Sequence, residues 1–137
     1  MNNPTTAVAT RFYELYGNGE IDRVLDLLGE DYVSHGFGGG GRDSLRQSLE
    51  GFRAAFPDVA FTVEDTITEG DKVAVKITFR GTHQGPFAGV AASGNPIEVG
   101  GCDVFRVCDG KIVEAWWLGD SGSMLRQIGA IPAPRGS

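Results

Sequence analysis

The sequence predicts an α+β fold in which helices come first and strands follow. Three observations carry this. Apolar residues recur at helical spacing over the first third of the chain, in three runs separated by glycine. From residue 59 onward the period shortens to two, most clearly in KVAVKITF, where Val73, Val75, Ile77 and Phe79 share one face. The dipeptide Asp109-Gly110 lies between two alternating apolar segments, a strong short-range hairpin signal. Helices gathered apart from strands, rather than alternating with them, place the chain in the α+β class.

The elements follow in order. Residues 3–17 read as an amphipathic helix, with Val8, Phe12, Leu15 and Tyr16 on one stripe and Gly17-Asn18-Gly19 as its stop. A second helix over 20–29 carries Ile21, Val24, Leu25 and Leu28. Residues 30–35 read as extended, and the glycines at 38–41 read as a flexible rim. A third helix starts from a cap at Asp43 or Ser44. Ser44-Leu45-Arg46-Gln47 fits a capping box, and Leu45, Leu49, Phe52 and Phe56 form its apolar stripe. Strands are expected at 59–69 and 72–82 around a Gly70-Asp71 turn. A Gly- and Pro-punctuated connection (83–96) leads to the hairpin, a short helix follows at 121–131, and 132–137 reads as a frayed tail. A curved sheet partly wrapped by helices leaves a concave pocket, where function concentrates.

At 137 residues the chain fits one domain, 1–137, with enough material for a core. A net charge of −6 without a Lys/Arg cluster argues against nucleic acid as a partner. No apolar run approaches the roughly 18 residues of a membrane span. The N-terminal stretch lacks the basic and apolar regions of a secretion signal, so a cytoplasmic location is expected. Cys102 and Cys108 lie on one expected strand, roughly 20 Å apart, too far to bond to each other. They read as small core or interface residues in a reducing compartment.

The hairpin holds the first site candidates. Asp103 sits mid-strand among Val, Phe and Cys, where an acid is disfavoured. Asp120 closes the return strand after Trp116, Trp117 and Leu118. A two-residue type I′ turn pairs Val107 with Ile112 and Asp103 with Trp116, so that Asp103, Phe105, Trp116, Leu118 and Asp120 share a face. A three-residue loop with a bulge at Gly110 turns Asp103 toward Ala115 and Trp117 instead. Both registers remain open at this stage. Trp116 and Trp117 cannot both face inward on a regular strand, so one is expected in the cavity and the other at an interface or outer face.

The segments FYELYGNGEIDRVLDLLGEDYVSHG, FRAAFPDVAFTVEDTITEGDKVAVKITFRGTHQGPFAG, DVFRVCDGKIVEAWWLGD and MLRQIG together resemble the SnoaL-like polyketide cyclases. The resemblance spans roughly residues 8–130. It implies the cone-shaped fold shared with nuclear transport factor 2 and ketosteroid isomerase, with three N-terminal helices on a curved mixed or antiparallel sheet around a pocket. By that resemblance Asp120 matches the acid/base aspartate of the cyclases. His83 matches a histidine near the pocket mouth, and His35 lies where the family places a polar residue. Asp103 departs from the histidine of the cyclases and matches the aspartic acid with which ketosteroid isomerases donate to an enolate. Phe12 falls near the place of the isomerase tyrosine, with Tyr13 beside it.

Ring closure by intramolecular aldol addition needs a base for an acidic α-proton, stabilisation of the enolate and a proton for the new alkoxide. A carboxylate beside a tryptophan, its pKa raised by burial, suits the first task. The expected catalytic set is therefore Asp120, His35, Asp103 and His83, in a pocket lined by Phe12, Tyr16, Phe52, Phe87, Phe105, Trp116 and Trp117. Each has a plainer role. Asp120 would cap the last helix, Asp103 would pair with Arg106 or Lys111, His35 would satisfy a strand-end carbonyl, and His83 would sit in an exposed loop. The glycine run lacks the Lys-Ser/Thr of a phosphate loop, and two distant histidines make a metal site improbable. No cofactor is expected. The reading is a cofactor-independent cyclase acting on a small, hydrophobic, enolisable substrate, assembled as a homodimer or homotetramer through the outer sheet face. The alternatives are an isomerase or epoxide hydrolase-like enzyme, and a non-catalytic ligand-binding protein.

Overall fold

The computed structural model describes residues 3–36 and 39–131. The tail at 132–137 and Gly38 of the expected rim lie outside the described residues. Helix α1 (Pro4–Gly17) starts at Asn3, whose side chain accepts the Thr5 amide at 2.9 Å, with proline in the first turn. Its buried stripe holds Phe12, Tyr13 and Tyr16. Helix α2 (Ile21–Leu25) is a single turn rather than the ten residues its periodicity suggests. The chain leaves it early because Leu27 accepts the Ile112 amide at 2.7 Å and strand β1 (Leu28–His35) begins at once. Sheet pairing overrides the helical pattern.

Helix α3 (Arg42–Ala55) starts ahead of the expected capping box. Gly41 is its N-cap, without a side-chain cap, and its carbonyl accepts the Leu45 amide at 3.0 Å. Strands β2 (Ala60–Glu69), β3 (Lys72–Thr82), β4 (Pro96–Cys108) and β5 (Lys111–Trp116) follow, and helix α4 (Ser121–Gln127) is last. The sheet order is β1-β5-β4-β3-β2, with β1 parallel to β5 and every other pair antiparallel. The sheet is therefore mixed. Its inner face, carrying Val73, Val75, Val99 and Phe105, is buried beneath the helices. Among the described residues no helix is long and apolar enough to cross a membrane.

The outer face carries a row in register across the strands: Ile67 opposite Ala74, Ala74 opposite Val104, Val104 opposite Trp116, and Trp116 opposite His35. Cys102 and Cys108 are exposed, not in the core.

The hairpin combines the two expected geometries. Asp109 (φ 51°) and Gly110 (φ 76°) form a two-residue turn with both central residues left-handed, as type I′ requires, and Val107 pairs with Ile112. One step on, Arg106 pairs with Glu114, so Val113 is an extra residue in β5. That bulge flips the rest of the strand. Val104 then meets Trp116, Phe105 meets Ala115, and Trp117 turns to the inner face with Asp103. The turn is that of one register and the facing that of the other.

A β-branched side chain is strained at positive φ. Gly110→Val is expected to lower the unfolding free energy by about 1–2 kcal/mol in urea melts, without loss of secondary structure.

Candidate functional site

Between the helices and the inner sheet face lies a cavity of about 530 Å³. Helix α1 lends it Phe12, Tyr13 and Tyr16, α3 lends Phe52, and β2 and β3 lend Phe61 and Phe79. The 83–95 connection lends Phe87, and the chain beyond β5 lends Trp117. The rings support one another, with centroids 5.4 Å apart for Phe12 and Trp117 and 5.5 Å for Tyr16 and Phe61. Tilted pairs of this kind are a favoured aromatic geometry and add to the packing of the wall.

Asp103 is the one carboxyl on that wall among the described residues. It is only 5% exposed. The Tyr13 hydroxyl donates to its Oδ2 at 2.5 Å, and the Leu118 amide donates to its Oδ1 at 3.2 Å. Burial raises the Asp103 pKa above its ordinary value, while the bonds from Tyr13 and Leu118 oppose the shift. The Tyr13 phenol is pushed well up, first by burial and then by the Asp103 charge, so it stays a neutral donor. Burial likewise raises Tyr16, whose hydroxyl donates to the Leu49 carbonyl at 2.7 Å. Tyr32, behind this wall, is pushed up to about 12 by burial and accepts from Ser34 Oγ at 2.7 Å.

A carboxylate so placed accepts a proton more readily than one in water and, once protonated, donates to an oxygen beside it. Tyr13, which the sequence places beside Phe12 but not in the expected catalytic set, is the side chain that meets Asp103 on the wall. Its signal was present: a tyrosine on the buried helical stripe one residue from Phe12, with a hydroxyl that burial obliges to find a partner.

The other expected site residues part company. Phe12, Tyr16, Phe52, Phe87 and Trp117 line the cavity with Asp103. Phe105 does not: it is fully buried beneath, touching Phe12, Tyr13 and Trp117 as support. Trp116 lies on the opposite face, because the Val113 bulge sends it outward. His35 is outside too, stacked on Trp116 with centroids 5.2 Å apart, its Nε2 2.6 Å from Glu114 Oε2. That contact, followed by Arg106, holds the Glu114 carboxyl below its usual range. Arg106 is thus engaged with Glu114, not with Asp103.

His83 is fully buried rather than loop-exposed, and it is not on the cavity wall. Its Nδ1 accepts the Ser93 amide at 3.1 Å and lies 2.8 Å from Ser93 Oγ. Asp120 is exposed and caps α4, accepting the Ser123 amide at 3.0 Å. Its neighbours Gly119 and Ser121 reach the cavity, but its own carboxylate is not on the wall. Two causes keep it out: β5 ends at Trp116, and the first turn of α4 draws the carboxylate to its own amides. Among the described residues no three His, Cys, Asp or Glu side chains gather to hold a metal ion.

The model of the SnoaL-like polyketide cyclase family matches residues 6–128. IdmH from Streptomyces antibioticus, provisionally classed as a polyketide cyclase, is 32% identical, with a TM-score of 0.82 over 93% of this chain and 99% of that one. TsrD from Streptomyces laurentii is 28% identical, with a TM-score of 0.84 over 96% and 99%. AclR from Streptomyces galilaeus, provisionally classed as a hydroxylase, is 26% identical, with a TM-score of 0.87 over 96% and 85%. No curated protein matches the chain.

Because the folded pKa of Asp103 is raised, its protonated form is favoured in the fold. Its contribution to stability is present below the ordinary value of 3.8 and is lost as pH rises through the raised one. The unfolding free energy of the wild type, measured against Asp103→Asn, is therefore expected to fall across that window and flatten above it. Tyr13→Phe should move the window to higher pH, since the Tyr13 bond is the first of those holding the value down. Urea melts across pH test both.

Proposed function

The chain belongs to the SnoaL-like polyketide cyclase family, and from that premise we propose that it is a cofactor-independent cyclase closing a ring on an enolisable, hydrophobic, polyketide-type substrate. The observation that carries this is the Asp103–Tyr13 pair set in an otherwise aromatic hollow. The Asp103 carboxylate takes a proton from an activated methylene, whose electrons pass to the neighbouring carbonyl oxygen as an enolate. The enolate carbon attacks a second carbonyl of the same chain, and the alkoxide formed there takes back the proton from Asp103. Atoms and charge balance with no cofactor. The raised pKa serves both halves, since a group too acidic would be a poor base and one too basic would not return the proton. The aromatic wall holds a flexible chain folded on itself, which offsets much of the entropy of closure.

A second reading has a specific observation behind it. A tyrosine hydroxyl coupled to a buried aspartic acid is also the arrangement that stabilises an enolate during a double-bond shift; ketosteroid isomerase is the standard example of this. There the proton returns to a different carbon and no ring forms, so product analysis separates the two. Supporting self-association is the outer row, in which Ile67 is 70% exposed and Lys72 Nζ stands 5.7 Å over the Trp116 ring. We propose it as the contact of a homodimer or homotetramer. Sedimentation velocity should show a species above 14.6 kDa, and a Trp116→Glu variant should shift it to the monomer.

With an enolisable polyketone as substrate, Asp103→Asn is expected to lower kcat by roughly 10²-fold or more, with the fold and ligand affinity kept. Asp120→Asn should leave kcat within about a factor of two. The reverse pattern would return the acid/base role to the capping carboxylate. No turnover by the wild type, with affinity lost on Trp117→Ala, would make the protein a binding module.

A further inference from the structure

The connection between β3 and β4 has a fixed base and a loosely held tip. At the base, His83 and Asn95 are joined by the His83 amide to the Asn95 carbonyl at 2.9 Å, and the Gly94 amide reaches the His83 carbonyl at 2.8 Å. The buried His83 ring adds its hold on Ser93. The amides of Gln84 and Gly85 both donate to the Ala55 carbonyl, at 2.9 and 3.1 Å, at the end of α3. Position 85 has no room for a side chain, since a Cβ there would lie 2.5 Å from the Ala54 carbonyl oxygen. The base is thus clamped to the helix.

The tip differs. Among the described residues, the hydrogen bonds of residues 86–92 are the reciprocal pair between Phe87 and Val90, at 2.9 and 2.8 Å. Nothing but packing ties this miniature hairpin to the body. Its tight turn is made by Ala88 at φ 52° and Gly89 at φ 77°, and Ala88 is one of two non-glycine residues with positive φ among those described. Strain of that kind is kept where the surroundings use it. Here Pro86, Phe87 and Ala88 form part of the cavity wall. The Phe87 ring lies edge-on to Phe52 and Phe56, at 5.8 and 5.4 Å.

We propose that residues 86–92 form a flap and that Phe87 is its gate, the side chain that determines which flat aromatic ketones enter the cavity and how fast. The clamps at His83 and Gly85 are the hinge points. Opening costs the packing of Phe87 and Val90 against the core and no main-chain hydrogen bond to the body, unlike the clamped base on either side of it. The inference concerns admission, not the chemistry inside, and it stands whether or not Asp103 turns substrate over.

The test uses fluorenone, an uncharged tricyclic ketone, with binding read by stopped-flow quenching of tryptophan fluorescence in the wild type and in Phe87→Ala. A gate predicts that association and dissociation both quicken, each by roughly threefold or more, while Kd moves less than either rate. A plain wall residue would leave association unchanged and alter dissociation alone, and that result overturns the proposal. So does failure of fluorenone to bind either protein, whereas binding to Phe87→Ala alone supports it. Amide exchange in the wild type gives a readout that needs no substitution. Ala91 and Ala92 should exchange far faster than Gln84 and Gly85, and equal protection would rule out a hinged tip.

Discussion

A carboxyl group taken out of water into an apolar hollow is costly, by several kcal/mol if left alone, and most of this architecture can be traced to how that cost is met at Asp103. Two donors meet it, and each imposes a condition on a distant part of the chain. The Tyr13 hydroxyl must arrive from α1, which fixes the rotation of the first helix over the sheet. The Leu118 amide must be free to turn toward β4, which requires that β5 stop pairing in the ordinary way after Trp116. Beyond that point the chain still runs beside β4, with Cys102 and Asp120 donating across to Leu118 and Gly100 carbonyls. Gly101 permits the approach, since a Cβ there would stand 3.1 Å from the Gly119 Cα.

The same conditions shape the chemistry. A wall built from aromatic rings offers few dipoles to compete with Asp103, so charge created near it interacts with little screening. Tyr13 limits the pKa rise that burial imposes on Asp103 and is itself kept neutral, first by its own burial and then by the negative charge it faces. The two groups therefore set each other's protonation state. Burial lifts the carboxyl above its ordinary value, and the bonds from Tyr13 and Leu118 oppose that rise. On the other side of the sheet the rule is reversed. Glu114, bonded by His35 and Arg106 near solvent, is held in its charged form and has no reason to carry a proton.

Much of this was legible in the residue pattern. Alternation through 72–79 and the Asp109-Gly110 turn located the hairpins, and an acid among Val, Phe and Cys singled out Asp103. What could not be read was the facing of β5. A bulge adds a residue to one strand without changing the local composition, so nothing about Val113 distinguishes it from its neighbours. Only the combined demand of β1 pairing and Trp117 packing selects it. Helix α2 failed for a related reason: Val24, Leu25 and Leu28 are buried whether the backbone continues as helix or turns into strand. A cap and an active-site carboxylate look alike in sequence, and the cap, which needs only the next three residues, is the arrangement in which Asp120 is held. His83 was placed in a loop correctly, but the loop folds back over its own histidine.

The single extra residue in β5 decides more than register. Without it the alternation would continue, turning Trp116 inward and Trp117 outward. The cavity would then lose the ring that packs on Phe12 and Phe105. The outer face would lose the stack with His35 and the cation–π contact with Lys72. Asp103 would lose the second of its two donors, because the register that brings the Leu118 amide to its Oδ1 would be gone. Adjacent tryptophans can serve opposite faces of any strand, but which one serves which is a matter of parity, and parity here rests on Val113. A chain of this family that lacked the bulge would need a different residue opposite Asp103 and a different donor for its second oxygen. The bulge, the second tryptophan and the buried acid therefore form one unit and would be expected to change together or not at all.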